Sequence, residues 1–179
     1  MPEIEIRSAL TTDLTSLAGI EHSSKTDYVW QLDRSFDTGQ MAVSFREIRL
    51  PRTIRIEYPH THEQIVEAWK KSAVILMAVL GNQPVGYASI QDQQTPGTAW
   101  ITDLAVAEHN RREGIGSALL LSAQNWASQR RFRRMVLEMS SKNVAAVRLA
   151  LKMGFEFSGY NDQYYANQDI ALFFSRLMR

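Results

Sequence analysis

A chain of 179 residues, 45% hydrophobic and 22% charged, is long enough for one compact domain around one core and too short for two of ordinary size. Twenty Lys and Arg against nineteen Asp and Glu leave a formal charge of +1, so no strong overall field draws the chain to a polyanion. The lack of cysteine excludes a disulfide framework, a thiolate nucleophile and a Cys-ligated metal. The sequence opens without a leader pattern, and its longest fully apolar run, residues 73–80, is far below the ~20 residues of a membrane helix. A soluble cytoplasmic protein with no membrane partner is expected.

Ile4 and Ile6 alternate with Glu3, Glu5 and Arg7 as in a half-buried strand, and Thr11 or Thr12 then caps a helix carrying Leu14, Leu17 and Ile20. Over residues 23–39 no period holds: Asp27, Tyr28, Trp30, Asp33 and Phe36 lie among polar residues, and a mobile, aromatic-bearing loop is predicted. Met41, Val43 and Phe45 alternate, as do Ile54, Ile56 and Tyr58, which predicts two strands flanking Pro51. Thr61 caps a helix containing Ile65, Val66 and Trp69. Residues 73–80 and 85–90 read as strands joined by a tight turn, and 99–107 as a third. At Ile115 the period changes: Ile115, Leu119, Ser122 and Trp126 share one helical face, and the helix ends near Gln129. Residues 135–139 form another short strand. Asn143 caps a helix reaching about Met153 that Gly154 closes, and 169–178 form a final strand. The order is β-α, then a β-β meander, then β-α-β-α-β-β. It predicts an α/β (α+β) fold with a mixed sheet flanked by helices, as a single domain over residues 1–179.

Chemistry concentrates where a strand runs into Arg111-Arg-Glu-Gly-Ile-Gly116 and a helix opens. Glycine lets the backbone approach a ligand closely, and first-turn N–H groups lack an intrahelical acceptor. These amides and the helix dipole suit a pyrophosphate. A dinucleotide fingerprint would need a glycine where Leu119 stands, and a nucleoside triphosphate loop would need Gly-Lys-Ser/Thr; neither is present.

This segment, with Leu104-Ala-Val106 before it and Asn143-Val-Ala-Ala-Val-Arg-Leu-Ala-Leu-Lys-Met-Gly-Phe155 after it, resembles the GNAT superfamily of acyl-CoA-dependent N-acyltransferases. The resemblance implies a mostly antiparallel sheet of about seven strands, splayed between the strand ending near Val106 and the one starting at Met135. It implies acetyl-CoA as cosubstrate and no metal. Arg111 and the amides of Arg112, Glu113, Gly114, Ile115, Gly116 and Ser117 would hold the CoA pyrophosphate. The backbone of Leu104, Ala105 and Val106 would pair with the pantetheine arm, and Asn143 and Ala146 would flank it. Residues of about 73–155 then form the acetyl-CoA-binding core and about 1–72 a variable acceptor side. The implied activity is acetyl transfer to a primary amine of a small molecule or protein, by direct attack in a ternary complex. A non-catalytic acyl-CoA-binding sensor is the alternative. A homodimer is left open.

An alkylamine with a pKa of ~10.4 lies about 3.4 units from its neutral form at pH 7, a cost of roughly 4.6 kcal/mol, so a base matters. Asp103, one residue before Leu104, sits where similar proteins often carry a carboxylate that works through water; the alternative is a hydrogen-bonded structural acid. His109 reads as a surface residue. Relatives face the departing sulfur with a tyrosine seven residues past the capping Asn, where this chain has Ala150. Tyr164 and Tyr165 can reach the same space, or they pack at a sheet edge. The stretch from Gly154 through Tyr164-Tyr165 to Phe174 is loosely similar to the streptothricin-type acetyltransferases. Asp27, Asp33 and Asp162 with Tyr28 and Trp30 would suit a cationic acceptor, unless they are only loop residues. The arginines of 129–134 read as a solvated junction rather than a contact to nucleic acid or to the CoA 3′-phosphate. Trp69, Trp100 and Trp126 read as core.

Overall fold

The computed structural model describes residues 3–179. The chain begins with β1 (Ile4–Ser8), a short 3-10 turn (Thr11–Asp13) and α1 (Leu14–Ala18). Two long strands follow, β2 (Ser24–Asp37) and β3 (Gln40–Ile56), and then α2 (His62–Trp69). Next come β4 (Val74–Leu80), β5 (Gln83–Gln91), β6 (Thr98–Val106), α3 (Ile115–Gln129) and β7 (Arg134–Ser140). The chain finishes with α4 (Val144–Lys152), β8 (Glu156–Asn161) and β9 (Ala171–Leu177).

Seven strands form one sheet in the order β1-β4-β5-β6-β7-β9-β8. Every neighbouring pair is antiparallel except β6 and β7, which are parallel because α3 carries the chain back between them. The mixed, mostly antiparallel sheet expected from the sequence is what forms. β4 shows why its sequence is an unbroken apolar run: Leu76 and Ala78 pack into a core with Leu119, Leu120 and Ala123 of α3. Met77 and Val79, pointing the other way, pack with Leu17, Ile65 and Trp69 of α1 and α2. α2 and α4 cap as their residues dictate. Thr61 accepts from the Gln64 N–H while the Gln64 side chain accepts from the Thr61 N–H, a capping box. Asn143 Oδ1 accepts from the Ala146 N–H at 3.1 Å.

Three expectations are corrected. Thr11 and Thr12 do not cap α1: they lie inside the 3-10 turn, Asp13 is the N-cap without a side-chain capping bond, and the helix stops at Ala18, before Ile20. Residues 23–39 are not a loop: Ser24–Asp37 is a strand, paired with β3 in a separate two-stranded sheet. Its buried face is carried by Ser24, Thr26, Tyr28, Trp30 and Leu32, all only partly buried, so the alternation is weak in the sequence. Residues 40–56 are one strand rather than two. Pro51 sits where the register shifts between Thr26 and Tyr28, so no ladder hydrogen bond is asked of its missing N–H. The Thr53 hydroxyl donates to Asp27 at 2.5 Å across this bulge. The hairpin's inner half docks on the main sheet: the Trp30 N–H donates to the Ser141 carbonyl at 3.0 Å. Phe45 packs on Phe157 and Tyr160, and Arg148 pairs with Glu47.

Candidate active site

β6 and β7 pair from Thr98 opposite Arg134 to Ile101 opposite Leu137. Beyond that point β6 continues to Val106 and β7 to Ser140 with no pairing between them, so a wedge opens in the sheet. Thr102 and Leu104 line one wall and Leu137, Glu138, Met139 and Ser140 the other. Asn143 and Ala146 of α4, with Tyr58, His60 and Tyr165 from loops, complete the lining.

Past β6 a 3-10 turn (Glu108–Asn110) leads into the glycine loop. Arg112 (φ 70°) and Gly114 (φ 86°) both adopt the left-handed region there, which curls the backbone. Gly114 is the N-cap of α3 and no side chain caps it. The first helical bond runs from the Ala118 N–H to the Gly114 carbonyl, so the N–H groups of Ile115, Gly116 and Ser117 have no acceptor within the helix. A Cβ on Gly116 would meet Leu149 Cδ2 at 3.0 Å, whereas one on Gly114 would meet nothing within 4 Å. The Ile115 side chain is buried and anchors the turn, while Arg112 and Glu113 are exposed beside it. This bare helix start fits a diphosphate. The Arg111 side chain is turned away from it. Its guanidinium donates to the carbonyls of Val106 (2.8 Å), Ser23 (2.9 Å) and Glu21 (2.6 Å), a strut that fixes the end of β6 to the segment before β2. With the Val106 carbonyl so engaged, the edge of β6 that lacks a strand partner on the β7 side narrows to 102–105.

Asp103 lies within the wall of the wedge with no exposed side-chain surface. Its Oδ1 accepts from Tyr58 Oη at 2.5 Å and from His60 Nδ1 at 2.8 Å, and its Oδ2 accepts from Thr102 Oγ1 at 3.2 Å. Burial alone would raise its pKa, but the hydrogen bond and charge of His60, with the bonds from Tyr58 and Thr102, outweigh burial and hold it below the ordinary value. For His60 burial works toward a lower pKa, and Asp103, with Glu138 behind it, outweighs that and raises it. The His60 side chain keeps 24% of its surface exposed and lines the cleft. Glu138, from the middle of apolar β7, accepts from Trp100 Nε1 at 2.9 Å and from Tyr164 Oη at 3.4 Å. Burial pushes its carboxyl up. Tyr165 is buried at the cleft, its hydroxyl pushed far up by burial and by Glu138. Tyr164 is exposed, its hydroxyl pushed up to about 12 by burial and by Glu138.

The structure brings together part of the set of residues expected from the sequence. Asp103, Leu104, Asn143, Ala146 and Tyr165 meet at the wedge, with the glycine loop at the end of the same strand. The expected acceptor residues do not gather there. Asp162 is paired with Arg34 at 3.2 Å, Asp33 with Arg46 at 2.9 Å, and the Tyr28 ring lies under Arg148, so their charges and faces are met within the chain. Trp30 packs against the main core. Ala150 is fully buried in that core, and His109 is exposed outside the cleft lining. The 129–134 arginines lie at the C-terminal end of α3, about 22 Å of helix from the glycine loop, with Arg130 stacked on Trp126. Four contributors carry no site signal of their own in the sequence: Tyr58 and His60, whose shared partner Asp103 is 45 and 43 residues away; Trp100, which reads as a core residue; and Glu138, a lone charge inside Met135-Val-Leu-Glu-Met139.

Comparison with known proteins matches residues 42–155 to the Acetyltransferase (GNAT) family. Streptothricin acetyltransferase A of Bacillus subtilis (strain 168) is 26% identical over 134 residues, 73% of this chain and 77% of that protein. Streptothricin acetyltransferase of Streptomyces lavendulae is 25% identical over 166 residues, 90% of this chain and 86% of that one. Among solved structures, nourseothricin acetyltransferase superposes with a TM-score of 0.83 at 20% identity, covering 98% of this chain and 99% of its own. A Bacillus anthracis str. Ames protein of the streptothricin type, solved in complex with acetyl coenzyme A, superposes with a TM-score of 0.79 at 22% identity and 99% coverage of both. The splayed sheet, the uncapped glycine turn and a family match across most of the chain agree: this chain is a member of the GNAT acetyltransferase family.

Proposed function

We propose that the protein is an acetyl-CoA-dependent N-acetyltransferase whose acceptor is a primary amine on a small cationic molecule of the streptothricin type, acetylated by direct attack in a ternary complex. Acetyl-CoA supplies the activated acyl group as a thioester. The amides of 115–117 hold its diphosphate, the open edge of β6 receives the pantetheine arm, and Asn143 and Ala146 border that arm. Tyr165, rather than the more exposed Tyr164, takes the place of the tyrosine absent at position 150 and offers a proton to the leaving sulfur. Its raised pKa keeps it protonated at neutral pH.

The observation that carries the acceptor class is the pair of buried carboxylates, Glu138 in the lining of the cleft and Asp103 directly behind Tyr58 and His60 of that lining. Among the described residues neither has a Lys or Arg partner. A cleft with that charge favours an ammonium group over a neutral or anionic acceptor. Release of CoA is measured across a panel of streptothricins, amino sugars, polyamines and lysine peptides. Turnover confined to the cationic small molecules is the expected result. Tight acetyl-CoA binding with no turnover on any amine would favour an acyl-CoA-binding module instead.

A further inference from the structure

We propose that His60 takes the proton from the acceptor amine through Nε2, and that Asp103 is its positioning residue rather than the base itself; this rests on the N-acetyltransferase reading above. The geometry separates the two roles. Asp103 has three donors on its carboxylate and no exposed side-chain surface, so neither an amine nor a water meets it without breaking that set. His60 stands between Asp103 and the cleft. Because Asp103 is held ionised and a carboxylate can only accept, Nδ1 carries the hydrogen and Nε2 the lone pair. Among the described residues Nε2 has no hydrogen-bond partner. The ring is held on two sides, by Tyr58 and by Tyr165, with centroids 5.8 and 5.3 Å away. The groups facing it are Asp103 of β6, Glu138 of β7, Tyr58 beside it and Tyr165 of the β8–β9 connection. His22 faces Tyr58 from behind. All the nearby formal charge is negative, which makes an imidazole a better acceptor near neutral pH.

The proton balance closes. The acceptor arrives as an ammonium and gives one proton to Nε2. The neutral nitrogen attacks the thioester carbonyl, the C–N bond forms and the C–S bond breaks. Tyr165 passes its proton to the departing thiolate and regains one from the new amide nitrogen, and His60 releases its proton to solvent. One ammonium and one thioester become one amide, one thiol and one proton.

The test uses the best amine from the panel and follows kcat, KM and their pH dependence for wild type, His60→Asn, His60→Ala and Asp103→Asn. Asn at position 60 keeps an N–H donor for Asp103 but has no basic nitrogen. The expected result is a fall in kcat of about 10²- to 10⁴-fold in His60→Asn, with acetyl-CoA affinity unchanged and the acidic limb of the profile gone. Added imidazole restores part of the rate of His60→Ala, and Asp103→Asn keeps a limb but moves it to lower pH. His60 variants within about threefold of wild type and with the same limb would overturn the assignment, as would a limb lost in Asp103→Asn alone. Failure of wild type to turn over any amine is instead the failure of the N-acetyltransferase reading.

Discussion

Asp103 raises the basicity of His60 and is itself made more acidic by it, which places two opposite ionisations around one hydrogen bond. The Asp103 contribution to stability is present above its unfolded pKa of about 3.8 and is lost as pH falls through the folded value; that of His60 is complete below about 6.5 and is lost as pH rises through its folded value. His22 runs the other way, since burial beside Tyr87 lowers its pKa. Titration of the four histidines by NMR is therefore expected to place His60 above 6.5 and His22 below it, and Asp103→Asn to lower the His60 value because burial is then opposed only by the charge of Glu138. Both residues on the same side in wild type would contradict the buried pairing. Gly114 offers a second test at this scale. An alanine there, at φ 86°, is strained by about 1 kcal/mol, and so is one at Gly39 in the hairpin turn, at φ 78°. Urea midpoints should fall alike, but calorimetry should show weaker acetyl-CoA binding only for Gly114→Ala, since only that turn aims the α3 amides. The glycine loop was legible in the sequence because its chemistry is backbone chemistry and sits in one contiguous stretch. His60 and Glu138 were not, because each acquires its role from partners tens of residues away.

Elements whose burial is deep, on one face for the helices and on both for the central strands, were legible to within a few residues. α3 and α4 show a clean helical period against the core, and β4 and β5 show strand-length apolar runs. The β2–β3 hairpin was not, because no face of it is fully buried and Pro51 breaks the pattern inside a continuous strand. Its two halves differ. Residues 24–32 and 45–56 carry the partly buried positions, while every residue of 33–44 is exposed, including Phe36 and Met41 at the tip. A ribbon of two strands with no covered face is marginal in water, so the tip should open without the rest. In hydrogen exchange, amides of 33–44 are expected to exchange orders of magnitude faster than those of β4 and β5, with Trp30, bonded to Ser141, among the protected ones. Tip amides as slow as β4 would mean that something covers this ribbon in solution.

At the scale of the whole molecule the wedge divides the sheet into β1-β4-β5-β6 and β7-β9-β8, joined through the four paired positions at Thr98, Ala99, Trp100 and Ile101 and through the shared core under α3. A ligand held by the start of α3 on one side and by β6, β7 and α4 on the other touches both halves, so its binding energy opposes their separation rather than stiffening one loop. At a concentration of about 100 Kd, binding to the folded state alone adds about 2.7 kcal/mol, which for a chain of this length raises Tm by roughly 5–10 °C. Acetyl-CoA is expected to produce a shift of that size in a single cooperative transition, and to slow exchange in 102–105 of β6 and at Met139 and Ser140 of β7 together. Because the diphosphate contact proposed for the uncapped amides is independent of what the thiol carries, CoA without its acetyl group should give much of the same shift. Replacing Gly116 by Leu, whose side chain must displace Leu149, should remove most of the shift while lowering the ligand-free Tm far less. A shift retained in that variant, or protection confined to one side of the wedge, would place the ligand somewhere other than between the splayed strands.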